Sequence, residues 1–78
     1  MSLTTQVFQL KPHEFREACD VMLDASIALE NGGDWREIFR RSKHSRPAGR
    51  LHRIYALLEK AEPEDIEQMA ASLAEVDI

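Results

Sequence analysis

The sequence has a single cysteine among its 78 residues, which excludes an internal disulfide bond. Glycine and proline occur only three times each, and the chain has neither an internal repeat nor a low-complexity tract. No uncharged stretch approaches the ~20 apolar residues that a membrane-spanning helix requires. Residues 1–10 also lack the basic region and the apolar core of a secretory signal. We therefore expect a cytoplasmic protein that does not enter a membrane.

Residues with catalytic or metal-binding chemistry are also scarce. The candidate metal ligands are one cysteine and three histidines, and they form neither a CxxC nor an HxxxH motif. Gly32-Gly33 lacks the lysine and hydroxyl residue that complete a phosphate-binding loop. Cys19 follows His13 by six residues, a spacing that places the two on different sides of a helix. The sequence therefore predicts a protein without a metal, a cofactor or enzymatic activity.

The composition is that of one small globular domain. Hydrophobic residues make up 44% of the chain and charged residues 31%, which is ordinary for a folded protein. We expect residues 1–78 to form a single helical domain. A chain of this length buries only ~60% of its unfolded surface, so it is marginally stable alone unless it is oligomeric.

Hydrophobic periodicity predicts an all-α fold, a compact bundle of four short helices after an extended N-terminal segment. Residues 1–11 are rich in Thr, Val and Phe, which favour an extended arm. The predicted helices of the body, residues 12–76, cover residues 12–31, 34–43, 46–61 and 63–76.

Local signals set these boundaries. Pro12 suits the first helical position, and Asn31-Gly32-Gly33 suits a helix end. Asp34 begins the second helix as a cap. We expect Ser45 to cap the third helix, and Pro63 to begin the fourth.

The predicted core comes from apolar stripes on these helices. The third and fourth helices contribute Leu51, Ile54, Tyr55, Leu58 and Ala61, then Ile66, Met69, Ala70, Leu73 and Val76. The helix at 12–31 is apolar over an unusually wide arc, as expected for the central helix of a bundle. Three short neighbours cannot cover that arc, and the sequence therefore predicts a homodimer.

Charge is strongly segregated along the chain. Residues 1–35 have a net charge of −4, residues 36–53 of +6, and residues 54–78 of −6. Seven of the ten cations fall in residues 36–53, where Glu37 is the only acid. This basic segment can bind an anionic partner, or it can bind the protein's own acidic flanks, for which Glu64, Glu67 and Glu75 are candidates.

The candidate contact surface lies on the third predicted helix. Arg46, Arg50 and Arg53 fall on one face, with Leu57 among them and away from the core stripe. Arg is enriched at protein interfaces, and an exposed Leu can act as an anchor. We add Arg40 and Arg41 at the edge of this surface. The alternative is that Leu57 fills a groove of the protein itself and the arginines are solvated.

These features predict a small non-catalytic regulator or adaptor that binds another protein with an acidic or mixed surface. An inhibitor or modulator of phage or bacterial type fits this description. The alternative is a transcriptional regulator that binds nucleic acid through residues 36–53, because two helices flanking a turn are typical of a helix-turn-helix. An overall pI of 5.3 argues against that alternative.

Overall fold

The computed structural model describes residues 2–46 and 48–75, and these residues form five α-helices. The helices are α1 (Leu3–Phe8), α2 (Pro12–Glu30), α3 (Trp35–His44), α4 (Arg50–Glu59) and α5 (Pro63–Ala74). The all-α prediction is confirmed, with one helix more than expected. None of these five helices has the length and hydropathy needed to cross a bilayer.

The N-terminal segment is helical, so the predicted extended arm is wrong. Ser2 caps α1, because its hydroxyl accepts a hydrogen bond from the backbone N–H of Thr5 at 3.2 Å. Val7 and Leu10 are buried, and Leu3 packs against the core. The spacing of these three side chains places them on one side of a helix. Burial against the rest of the protein has overridden the strand preference of Thr and Val.

The predicted ends of α2 and the start of α3 are confirmed to within one residue. Pro12 is the first residue of α2, and Asn31 closes the helix. Gly32 then adopts a φ of 73°, the left-handed region that glycine enters without steric cost. Asp34 caps α3, and its carboxylate accepts from the backbone N–H of Glu37 at 3.3 Å.

The predicted start of the third helix at residue 46 is wrong. Ser45 closes α3 instead, because its hydroxyl donates to the backbone carbonyl of Ser42 at 3.0 Å. The next helix, α4, begins at Arg50 after Gly49. A residue that precedes proline is disfavoured in helical conformation, which is the reason a helix cannot readily begin at Arg46. Pro47 itself lies outside the described residues.

The last helix begins where the sequence predicts. Glu62 and Asp65 form a capping box at its start, in which the Glu62 N–H donates to the Asp65 carboxylate at 3.2 Å. The helix ends at Ala74, two residues before the predicted end. Val76, a predicted core residue, lies outside the described residues.

The core lies around α2, which packs against α1, α3 and α5, while α3 packs along α4. Phe39 is its aromatic centre, in a T-shaped contact with Trp35 and stacked against Tyr55. The predicted stripes on the last two helices are confirmed for Leu51, Ile54, Tyr55, Leu58, Ile66, Met69 and Leu73, all of which are buried. The hydrophobic periodicity of the sequence therefore predicted correctly which side of α4 and which side of α5 is buried.

Candidate functional site

The basic segment, residues 36–53, begins with an arginine that is bound to the protein itself. The Arg36 guanidinium donates to the backbone carbonyls of Glu59 and Ala61, each at 3.2 Å. It also lies 4.3 Å from the centre of the Trp35 ring. Carbonyls at a helix C-terminus have no partner within the helix. Arg36 therefore closes the end of α4 and joins it to the start of α3.

Two further cations of the segment meet Glu59. Lys43 Nζ lies 2.7 Å from one carboxylate oxygen, and Arg40 Nε lies 3.1 Å from the other. Arg40 also forms an ion pair with Glu37, three positions earlier in the same helix. The hydrogen bonds from Lys43 and then Arg40 hold the pKa of Glu59 below its ordinary value. Arg40, predicted at the edge of a contact surface, is thus engaged within the molecule.

Arg46 and Arg50 also have partners in the chain. Arg46 forms an ion pair with Glu17 of α2. Arg50 Nη1 donates to the backbone carbonyl of Gln9 at 3.1 Å, which ties the start of α4 to the end of α1. The acids that neutralise the segment are therefore Glu17, Glu37 and Glu59. Within residues 2–46 and 48–75, the expected acids Glu64, Glu67 and Glu75 make no salt bridge.

Arg41 lies apart from the other predicted contact residues. It is exposed and borders an open depression of about 510 Å³ between α2 and α3, together with Asp24, Ile38, Ser42 and Ser45. In the part of the chain that the structure describes, its guanidinium has no hydrogen-bond or ion-pair partner. The depression is shared with Asp24, so its charge is mixed.

Arg53 has a different environment, on the side of the molecule where α1 meets α4. It is exposed and borders a cleft of about 200 Å³ with Arg50 and two glutamines of the N-terminal segment, Gln6 and Gln9. Among the described residues, no acceptor pairs with the Arg53 guanidinium. Its positive charge is therefore available to a ligand.

Leu57 follows Arg53 by one helical turn, and 46% of it is exposed. The prediction that Leu57 lies off the core stripe is confirmed. Together with the cleft, it defines a mixed surface, here called the α1–α4 surface: Gln6, Gln9, Arg50, Arg53 and Leu57. The two glutamines are not among the predicted contact residues, because residues 1–11 were expected to form an extended arm. The helical spacing of Leu3, Val7 and Leu10 would have placed them on the outward side.

The surroundings of the single thiol, Cys19, disfavour its ionisation. Cys19 is partly buried and packs against the core. Burial raises the pKa of the Cys19 thiol, and the neighbouring Asp20 carboxylate raises it further. A nucleophilic thiolate is therefore disfavoured at neutral pH. Among residues 2–46 and 48–75, no cluster of His, Cys, Asp and Glu has the arrangement of a metal site.

Comparisons with protein families, with curated proteins and with solved structures find no match to this chain.

Proposed function

We propose that the protein is a small non-catalytic regulator or adaptor, and that it binds another protein through the α1–α4 surface. The observation that supports this proposal is the contrast between Arg53 and five of the other six cations of the basic segment. Arg36, Arg40, Lys43, Arg46 and Arg50 each have an acceptor within the chain. Among the described residues no acceptor pairs with the Arg53 guanidinium, which lies one helical turn from the exposed Leu57.

The chemistry of the surface indicates the kind of partner. A guanidinium can donate two parallel hydrogen bonds to a carboxylate, which fixes both distance and orientation. Leu57 supplies apolar area one turn away, and the side-chain amide of Gln9 can donate and accept at the rim. A partner segment with an acidic residue next to an apolar one complements this arrangement.

Arg50 has a supporting part in this surface. Its bond to the Gln9 carbonyl uses one of its N–H groups and fixes the guanidinium beside the cleft that Arg50 lines. A guanidinium carries five N–H donors, so the others stay available. Substituting Arg50 would weaken the junction of α1 and α4 as well as any contact with a partner. Arg53 is therefore the better residue for a test.

The alternative function is that of a nucleic-acid-binding transcriptional regulator using residues 36–53. Tight phosphate binding requires several cations along one continuous surface. Two arginines of the segment, Arg41 and Arg53, have no internal acceptor among the described residues, and they border separate depressions. This separation favours the protein partner. The inhibitory or modulating role, the cytoplasmic location and the homodimer expected from the sequence stay predictions.

The test compares three variants in affinity capture from a lysate of the organism that carries the gene. Arg53→Glu and Leu57→Asp change the α1–α4 surface, and Arg41→Glu makes the same charge change at the depression between α2 and α3, away from the α1–α4 surface. Circular dichroism and thermal melting verify that all three fold. We expect a protein that binds the wild type and Arg41→Glu, and that is lost from Arg53→Glu and Leu57→Asp.

Nuclease treatment and salt distinguish the two functions. A protein partner is retained after nuclease treatment. Binding that disappears with nuclease, or that falls by orders of magnitude between ~50 and ~200 mM salt, supports the nucleic-acid alternative instead. Equal loss of the captured protein from Arg41→Glu and Arg53→Glu would contradict the proposed surface.

A further inference from the structure

The outer face of α2 exposes two large apolar side chains one helical turn apart. Leu23 is 59% exposed and Ile27 is 48% exposed. Neither belongs to the core cluster, and neither belongs to the α1–α4 surface. Leu23 and Ile27 form one contiguous apolar patch on α2, and contiguous apolar patches are where proteins bind partners.

A groove runs beside this pair. It has a volume of about 300 Å³ and lies between α2 and α5, bordered by Cys19, Leu23, Ala70, Leu73 and Ala74 among others. The small side chains on α5 leave room above them. The groove can receive one branched aliphatic side chain from outside the molecule.

The charges on the same face have opposite signs at its two ends. Arg16 precedes Leu23 by seven residues, and Glu30 follows Leu23 by seven. Seven residues are close to two helical turns, so both side chains lie on the Leu23 side of α2. Both are exposed, and neither forms a salt bridge within the described part of the chain. When two copies of α2 pack antiparallel, Arg16 of each copy therefore lies opposite Glu30 of the other, and the charges of the two faces are complementary.

We propose that a second copy of this chain binds here, with its α2 antiparallel to the first and a two-fold axis passing at Leu23. Leu23 then contacts the partner's Leu23, and Ile27 lies against the partner's Cys19 and enters the adjoining groove. Arg16 faces the partner's Glu30, and the symmetry repeats this ion pair at the other end. Such an interface uses the same patch on both copies, as a two-fold dimer requires.

The interface goes beyond the proposed function, because it shares no residue with the α1–α4 surface. It also gives the predicted homodimer a definite register. The contact positions Arg16, Cys19, Leu23, Ile27 and Glu30 are three or four residues apart, the spacing that places side chains on one side of a helix. Other registers along α2 lose the match between Arg16 and Glu30.

Charge exchange tests the register directly. Arg16→Glu places two acids opposite each other at both ends of the interface, and Glu30→Arg places two arginines there. We expect each variant alone to dimerise about ten-fold more weakly or worse, because like charges then face each other. Mixing the two variants restores attraction at both ends and yields a heterodimer. The double variant, with both substitutions in one chain, restores the homodimer.

Sedimentation equilibrium gives the readout, with the monomer at 8.9 kDa and the dimer at twice that mass. Leu23→Asp should leave a folded monomer, whereas Leu57→Asp, on a side chain of similar exposure, should leave the dimer unchanged. A wild-type chain that stays at the monomer mass at millimolar concentration overturns the proposal. The proposal is also overturned if the wild type dimerises but a mixture of Arg16→Glu and Glu30→Arg does not form a heterodimer. Loss of the captured partner on Leu57→Asp alone, with the dimer intact, separates this interface from the proposed function.

Discussion

Lys43 Nζ lies 2.7 Å from the carboxylate of Glu59, and this ion pair joins the last turn of α3 to the last turn of α4. Arg40 reaches the other oxygen of the same carboxylate at 3.1 Å. One acid at the end of α4 therefore neutralises two cations of the basic segment. With Arg36, three of the seven cations in residues 36–53 hold these two helices together.

The first prediction concerns Glu59→Gln. The substitution replaces the carboxylate shared by Arg40 and Lys43 with a neutral amide that can accept from only one of them through its oxygen, so the melting temperature should fall. Because the fold lowers the pKa of Glu59, its stabilisation is present above the ordinary carboxyl pKa. That stabilisation is lost as the pH falls through the lowered value. The difference in melting temperature between wild type and variant should therefore be full at neutral pH and shrink in acid.

Glu67→Gln is the matched control for this prediction. Glu67 is an exposed acid on α5 that makes no salt bridge within residues 2–46 and 48–75. Glu67→Gln changes the net charge by the same amount as Glu59→Gln but does not break an ion pair among the described residues. Equal effects of the two substitutions at neutral pH would show that the Glu59 pairs contribute nothing specific.

The second prediction concerns Tyr55→Phe. The Tyr55 hydroxyl is buried and has no hydrogen-bond partner among the described residues. A buried donor without an acceptor carries a desolvation cost of ~1–3 kcal/mol, and phenylalanine removes that cost while keeping the ring. The variant should be as stable as the wild type or more stable in urea denaturation. A loss of stability above ~1 kcal/mol would reveal a hydrogen bond to the hydroxyl.

The third prediction concerns alkaline pH. Burial raises the pKa of Tyr55 to about 12, and it is the only tyrosine in the chain. Tyrosinate absorbance should therefore titrate near that value in the folded protein and near ~10 in denaturant. The native state holds the proton more tightly, so stability should fall as the pH rises from the ordinary value towards the raised one. Tyr55→Phe should lack this decline, which absorbance and melting curves can check together.

The fourth prediction compares two leucines of α4. Leu51 is 4% exposed and Leu57 is 46% exposed. Leu51→Ala should destabilise the fold by about 2–5 kcal/mol, because it removes packed side-chain volume from the core. Leu57→Ala should cost much less, since nearly half of the residue is already exposed to solvent. Urea denaturation of the two variants measures both values, and similar large losses would contradict the observed phase of α4.

Only part of the candidate site could be predicted from the sequence. Arg50, Arg53 and Leu57 share one face of α4, as their spacing predicts. Arg46 lies before the helix rather than in it, and its charge is met by Glu17, twenty-nine positions earlier in the chain. A pattern of cations shows where charge is concentrated along the chain. It does not show which charges are neutralised by acids that are distant in sequence.

The sequence by itself determined the features that depend on near neighbours. These include the start of α2 at Pro12, its end at Asn31-Gly32, the cap at Asp34 and the buried stripes of α4 and α5. Capping and helical periodicity act over a few residues, so the chain displays them directly. Only the tertiary structure decided that residues 3–8 form a helix, because the burial of Val7 depends on surfaces made by other segments. The same holds for the basic segment, whose charges are mostly met by side chains and carbonyls that folding brings from elsewhere in the chain.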